Sequence, residues 1–261
     1  MSLLRRRMSG QGGYNYIQKN YLTIEALEDG LQVKLSGIAC EYCVNGNGSW
    51  VSLAKSAQTP AIKKGQTLSF RANYTTMSYS GVGTFTISKT CNLLGNIMSI
   101  RYGDDAPNAK STSVNYAFYS AFKGQPIVSV AEDFLPATTL SDDCYSYMFM
   151  NCSRLTSAPK LPATTLAKYC YSTMFKGCTS LTAAPELPAT TLLHRSYYYM
   201  FDGCSSLKYV KALFTTTPDT NYTGNWLNGV ASSGTFVKSK SAEWTTTGVN
   251  GVPSGWTIVK E

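Results

Sequence analysis

Few residues in this chain have the types and spacing that could do chemistry, and they are scattered. "CEYC" puts Cys40 and Cys43 at the separation used by zinc ligands and by dithiol redox centres. A structural zinc needs about four ligands, yet the chain holds one histidine, His194, far away in sequence. A thioredoxin-like dithiol needs a strand that turns into a helix, whereas "VNGNGSW" after Cys43 carries the Asn-Gly signature of a hairpin turn. Asp142 and Asp143 have no further carboxylate at a spacing that would make a glycosidase pair or a metal site. "GVGTF" and "NGNGSW" are glycine-rich but lead into strand-like sequence, not into the helix start that cradles phosphate. No metal, no cofactor and no catalytic set is expected, and the chain reads as a non-enzyme.

What must position the remaining side chains is a repeat. "YMFMNCSRLTSAPKLPATTL" (residues 147–166) is followed, 26 residues on, by "TMFKGCTSLTAAPELPATTL" (residues 173–192). Stacked at that period, Leu135, Leu161, Leu187 and Leu213 align, as do Phe149, Phe175 and Phe201, with Met148, Met174 and Met200 beside them. Leu155, Leu181 and Leu207 form a further row. A row that recurs once per unit belongs to a coil that cannot bury its own apolar face and uses its neighbour's. Five of the eight cysteines fall on the repeat: Cys152, Cys178 and Cys204 at one position, Cys144 and Cys170 at another. Free cysteine is small and readily buried, so a ladder of thiols inside the coil is expected in place of disulfides. The proline of "LPATTL" marks a corner. "CYSYMF" and "CYSTMF" are expected to be short helices that stop at Asn151, Gly177 and Gly203. "RLTSAP" and "SLTAAP" are expected to be short strands of a narrow parallel sheet.

Within this frame the constant positions are core and corner, and recognition belongs to the positions that vary. These include residues 141–143, 167–169 and 193–195, where His194 matches Asp142 and Lys168 and reads as a surface residue. Tyr147, Lys168, Tyr169, Lys176, His194, Arg195, Tyr198 and Tyr199 are the candidate binding surface. Tyrosine supplies contact area at low entropic cost and suits protein and glycan partners alike. Tyr145, Tyr171 and Tyr197 are expected to pack inside.

Before the repeat the pattern changes. Residues 21–105 hold short alternating stretches separated by Asp-Gly and Asn-Gly turns: "YLTIEAL", "LQVKLSG", "IACEYCV", "SWVSLA", "TLSFRANY", "GTFTIS" and "NIMSIRY". They predict an antiparallel β-sandwich. Residues 1–20 form a basic arm with Arg5, Arg6, Arg7 and Lys19 and no acid, half of the chain's net charge of +8. The arm is expected to anchor on an acidic protein surface. Three arginines make too small a footprint for nucleic acid. The start has no signal-peptide pattern, and no segment approaches the roughly 20 apolar residues of a membrane span, so membrane insertion is not expected.

The segments "LPATTL", "MFKGCTSLT" and "WLNGVASSGTFVK…GVPSGW" resemble the BspA-like class of leucine-rich repeats, common in surface proteins of gut Bacteroidetes and in their phages. The resemblance covers roughly residues 115–261, and residues 21–105 resemble the β-sandwich module that often precedes such repeats. It implies a mainly β chain: an N-terminal antiparallel sandwich, then a leucine-rich-repeat solenoid of 26-residue units over 106–261, with short helices on one face and terminal caps. It further implies a non-enzymatic recognition scaffold. A beginning without a leader directs the expectation to a phage virion, as a head fibre, tail fibre or decoration subunit. Such a subunit would be a homo-oligomer, a dimer or trimer, with a host-surface glycan or protein as its target. A bacterial cell-surface adhesin is the alternative.

Overall fold

The computed structural model describes residues 11–73 and 82–261. The fold is mainly β, with 24% strand, 8% helix and no closed barrel. Arg5, Arg6 and Arg7 lie outside the described residues. The second half of the expected arm is helix α1 (Gln11–Asn20). Ile17 of α1 is fully buried with Tyr21 and Cys43 in a small cluster, with Trp50 packed beside it, and that apolar contact ties the helix down.

Seven strands follow: β1 (Leu22–Ala26), β2 (Val33–Leu35), β3 (Cys40–Val44), β4 (Val51–Leu53), β5 (Thr67–Arg71), β6 (Phe85–Ile87) and β7 (Cys91–Leu94). The strands form a six-stranded sheet, ordered β4-β3-β5-β1-β7-β8 with β8 (Ile127–Val130) as its last member, and a separate antiparallel ribbon of β2 and β6. The β3–β4 hairpin turns at Asn45 and Gly46, both at positive φ (52° and 59°), as a type I′ turn requires. "CEYC" lies on β3, where a separation of three puts the two thiols on opposite faces. Cys40 joins the main core and Cys43 packs under α1, so they cannot share a ligand.

"NIMSIRY", expected as a strand, is instead helix α2 (Ser99–Tyr102) and its lead-in. The Asn96 Oδ1 accepts the Met98 N–H and starts a turn, and Ile97, Met98 and Ile100 are buried without alternation. The strand that the sequence reading missed is β7, just before it.

The core does not stop at the expected boundary between 105 and 106. Strand β8 (Ile127–Val130), in the first repeat-like unit, pairs in parallel with β7. Phe122 stacks on Phe85 at 4.8 Å and on Phe149 at 5.8 Å, so the aromatic core of the first sheet runs directly into that of the repeats.

Along the repeats, equivalent residues lie on one another. Phe118, Tyr145, Tyr171, Tyr197 and Trp226 stack at 5.7, 5.9, 6.1 and 6.2 Å between ring centroids. Phe122, Phe149, Phe175 and Phe201 stack at 5.8, 5.6 and 5.6 Å. All eight cysteines are free and buried. Cys152, Cys178 and Cys204 each donate to the carbonyl of a phenylalanine one unit back, Phe122, Phe149 and Phe175, at 3.1, 3.1 and 3.0 Å. Leu135, Leu161 and Leu187 are buried. Leu213 is only half-buried, because Phe214 takes the inward place and stacks on Trp244.

The expected short helices are not there. From Asp143 to Cys152 the backbone N–H groups alternate. Those of Asp143, Tyr145, Tyr147, Phe149 and Asn151 donate to carbonyls 25 residues on. Those of Cys144, Ser146, Met148, Met150 and Cys152 donate three residues back. Every fourth residue sits at positive φ: Asp143, Tyr147 and Asn151, then Tyr169, Thr173 and Gly177, then Arg195, Tyr199 and Gly203. This is a run of overlapping β-turns, each with its third residue left-handed in alternate turns. It buries Cys144, Tyr145 and Ser146, then Met148 and Phe149, and leaves Asp142–Asp143, Tyr147 and Met150–Asn151 toward solvent. A spacing of four is close enough to 3.6 to read as a helix.

The expected parallel strands appear as isolated bridges, Ser129 to Ser157 and Ala183 to Tyr209. They widen at the end into a parallel sheet of β9 (Tyr209–Ala212), β10 (Gly234–Lys238) and β11 (Trp256–Lys260). Trp226, Trp244 and Trp256 close this end, their indole N–H groups donating to the carbonyls of Gly251, Phe214 and Ala231 at 3.0, 3.1 and 2.8 Å.

Candidate functional site

The outward pairs of successive turn runs form one grid, and the candidate residues meet on it. The Tyr169 hydroxyl and His194 Nε2 are 3.2 Å apart, with the two rings edge-on. The Arg195 guanidinium lies over Tyr198 at 4.7 Å and over Tyr169 at 5.8 Å. Tyr198 and Tyr199 meet edge to face at 4.4 Å. The Lys176 ammonium lies 4.6 Å over the Tyr199 ring and pairs with Asp202 at 2.8 Å. Tyr199 is held from the next unit by the Asn225 amide, which donates to its hydroxyl at 3.1 Å. Lys168 stands exposed beside them, its backbone N–H donating to Asp142 Oδ1 at 2.9 Å.

Tyr147 extends the face toward the first unit. Its ring lies 5.2 Å from Tyr119, which packs edge-on against Tyr116 at 5.6 Å, and Lys123 stands over Tyr147 at 6.0 Å. Burial raises the Tyr198 phenol pKa, and its hydrogen bond to Tyr199 and the phenol of Tyr147 push the same way. Ser172 and Thr173, between these rings, are covered to 4% and 5% exposure. Tyr145, Tyr171 and Tyr197 are 1% exposed and belong to the core, as the sequence predicts.

Sequence reasoning missed Tyr116, Tyr119, Lys123, Gly224 and Asn225. Tyr119 and Gly224 occupy the column of Ser146, Ser172 and Tyr198, but the first unit is one residue longer, which hides the alignment. Gly224 matters because a Cβ there would come within 2.7 Å of the Tyr198 ring. The missing side chain is what lets that ring lie down.

The acids of this face, Asp142, Asp143 and Asp202, are each engaged within it. Asp202 is taken by Lys176 and by the Asn228 amide at 2.8 Å. Asp143 accepts from Ser146, and burial raises its pKa. Among the described residues, Lys123, Lys168 and Arg195 have no carboxylate within 4.0 Å of their charged groups; Lys176 does.

A second concave feature is a cleft of about 670 Å³ between β3, β4 and the residues after α2. Two of the acids that line it are tied: Arg71 holds Glu41 at 2.7 Å and Asp104 at 2.8 Å, stacks over Trp50 at 4.3 Å, and the Tyr21 hydroxyl donates to Asp104 at 2.8 Å; Asp105 lines it as well and is exposed. Two carboxylates clamped on one guanidinium form a structural tie. Among the described residues, no group of three or more His, Cys, Asp or Glu is placed to hold a metal ion. None of the described helices is long and apolar enough to cross a membrane.

No protein-family model matches the chain, and no curated protein or solved structure is similar to it.

Proposed function

We propose that this chain is a non-enzymatic structural and adhesive virion protein of a phage, a head-fibre, tail-fibre or decoration subunit. Its repeats form a leucine-rich-repeat solenoid of 26-residue units, and residues 21–105 form the sandwich module that carries it. The arginines at 5–7 anchor it on an acidic virion surface, and copies associate as a dimer or trimer. The carrying observation is the tyrosine–cation face. Six tyrosines, Tyr116, Tyr119, Tyr147, Tyr169, Tyr198 and Tyr199, and their cations are fixed on stacked units that share one core. Aromatic and arginine anchors on a rigid frame are what binding surfaces use. The parallel pairing of β7 with β8 joins the presenting units stiffly to the first sheet, as a protein that must hold a surface away from its mount requires.

The test is the location of the polypeptide. Mass spectrometry of purified virions should find it at a fixed ratio to the major structural proteins. Recovery only from bacterial envelope fractions, with no particles present, would refute the virion assignment and favour a cell-surface adhesin.

A further inference from the structure

We propose that the tyrosine–cation face binds a uronic-acid-bearing glycan, with Arg195 holding a sugar carboxylate and Tyr198 and Tyr199 stacking against the rings. This rests on the adhesive reading and gives it a ligand class. The starting point is Arg195. Its Nε–H is shut off from solvent and donates to no acceptor, although buried donors are nearly always satisfied. No carboxylate of the described residues pairs with it, and its guanidinium is held in place by the rings of Tyr169 and Tyr198 alone. That buried Nε is out of a ligand's reach, but the Nη groups are open to solvent and bond to no described residue, so a cation fixed by aromatic rings keeps its outer donors free for an acceptor that arrives from outside. A planar carboxylate fits the guanidinium fork two bonds at a time.

The surroundings favour a sugar over a peptide. Lys168, exposed and with no carboxylate of the described residues within 4.0 Å of its ammonium, adds a further cation on one side, and exposed His194 adds a ring nitrogen for hydrogen bonding. Half-buried Tyr198 and Tyr199 offer ring surface with a hydroxyl at the rim, which matches a pyranose: apolar on its C–H face and polar at its edge. A protein partner would look for a desolvated apolar centre. On this face only Leu193, 40% exposed, is a large exposed aliphatic.

The experiment is calorimetric titration of the full chain with an oligogalacturonate and with the same oligosaccharide after reduction of its carboxyls. The acid form should bind, weaken as salt is raised, and bind about tenfold or more tighter than the reduced form, as expected for a charge-assisted hydrogen bond. Arg195→Ala should cost at least about tenfold and the exposed Lys168→Ala less, both with unchanged thermal unfolding. Lys240→Ala, on an exposed position elsewhere, should change nothing. Equal binding of the reduced sugar, equal binding of a sulfated neutral glycan or a single-stranded oligonucleotide, or indifference to Arg195→Ala would each overturn the proposal. Binding to whole host cells separates the two levels. If cells are bound through Tyr198 and Tyr199 while no uronate is, the ligand class fails and adhesion stands; if cells are not bound at all, the adhesive reading fails as well.

Discussion

Raising the pH above about 9 should destabilise this protein steeply, because its thiols are buried. Burial holds Cys40, Cys91, Cys152, Cys170 and Cys204 up to about 12 from an ordinary value of 9.0. Cys144 and Cys178 are pushed well above their ordinary value by the same desolvation. A thiol whose folded pKa exceeds its unfolded one keeps its proton longer in the folded state, so stability is complete below 9 and is lost as pH rises from there toward 12. At pH 10 the unfolded thiol has gained about 1.4 kcal/mol by ionising, and the folded one almost nothing. Five such groups give about 7 kcal/mol, as much as the whole stability of many domains. The assay is urea unfolding followed by tryptophan fluorescence at pH 7, 8, 9 and 10, with reductant present. The midpoint should hold from 7 to 8, fall at 9 and collapse near 10, and Cys204→Ala should lessen the slope by about one proton's worth. A midpoint unchanged between pH 8 and 10 would refute the desolvated thiol ladder.

Phe175→Ala removes the ring between Phe149 and Phe201 and should cost about 3–5 kcal/mol in chemical denaturation; a loss under 1 kcal/mol would mean the stack is not close-packed. Arg101 is 1% exposed, its Nε and Nη2 have no partner among the described residues, and burial lowers its pKa. Arg101→Met should therefore be neutral or stabilising, by roughly 1–4 kcal/mol, and a drop in thermal midpoint would show that the guanidinium has a partner. Thr173, a β-branched residue at φ 59°, is strained, and Thr173→Gly should stabilise by about 1 kcal/mol, read as a rise in the denaturation midpoint.

What the sequence discloses here is whatever repeats. Cys152, Cys178 and Cys204 are legible as a buried row because three copies make the same choice, and the thiol-to-carbonyl bonds follow from their stacking. The hairpin after Cys43 is legible because Asn45-Gly46 permits little else. The turn run is not legible as such: pairs of apolar residues four apart look like a helix face, and the left-handed positions declare themselves by glycine in one column alone, at Gly124, Gly177, Gly203 and Gly229. Strand β7 is hidden because "CNLL" is short and follows a bend. Tyr119 and Lys123 escape because one inserted residue shifts their unit. The sheet shared by β7 and β8 is a pairing between segments of different pattern, which no local periodicity can announce.

The left-handed columns carry one more piece of information. In the column of Asn151, Gly177, Gly203 and Gly229, every copy uses a residue that tolerates positive φ. In the neighbouring columns the same backbone carries Tyr147, Thr173 and Tyr199, and Asp143, Tyr169 and Arg195. Each of these non-glycine residues costs of order 1–3 kcal/mol where glycine would be free. The core needs none of them, since the buried pairs alternate with them and the backbone bonds are the same in every column. Thr173 is covered; for the others, which face solvent in part, such a cost is what the proposed binding role would account for. Tyr147, Tyr169, Arg195 and Tyr199 are all on that strained set, and all are on the face assigned to binding.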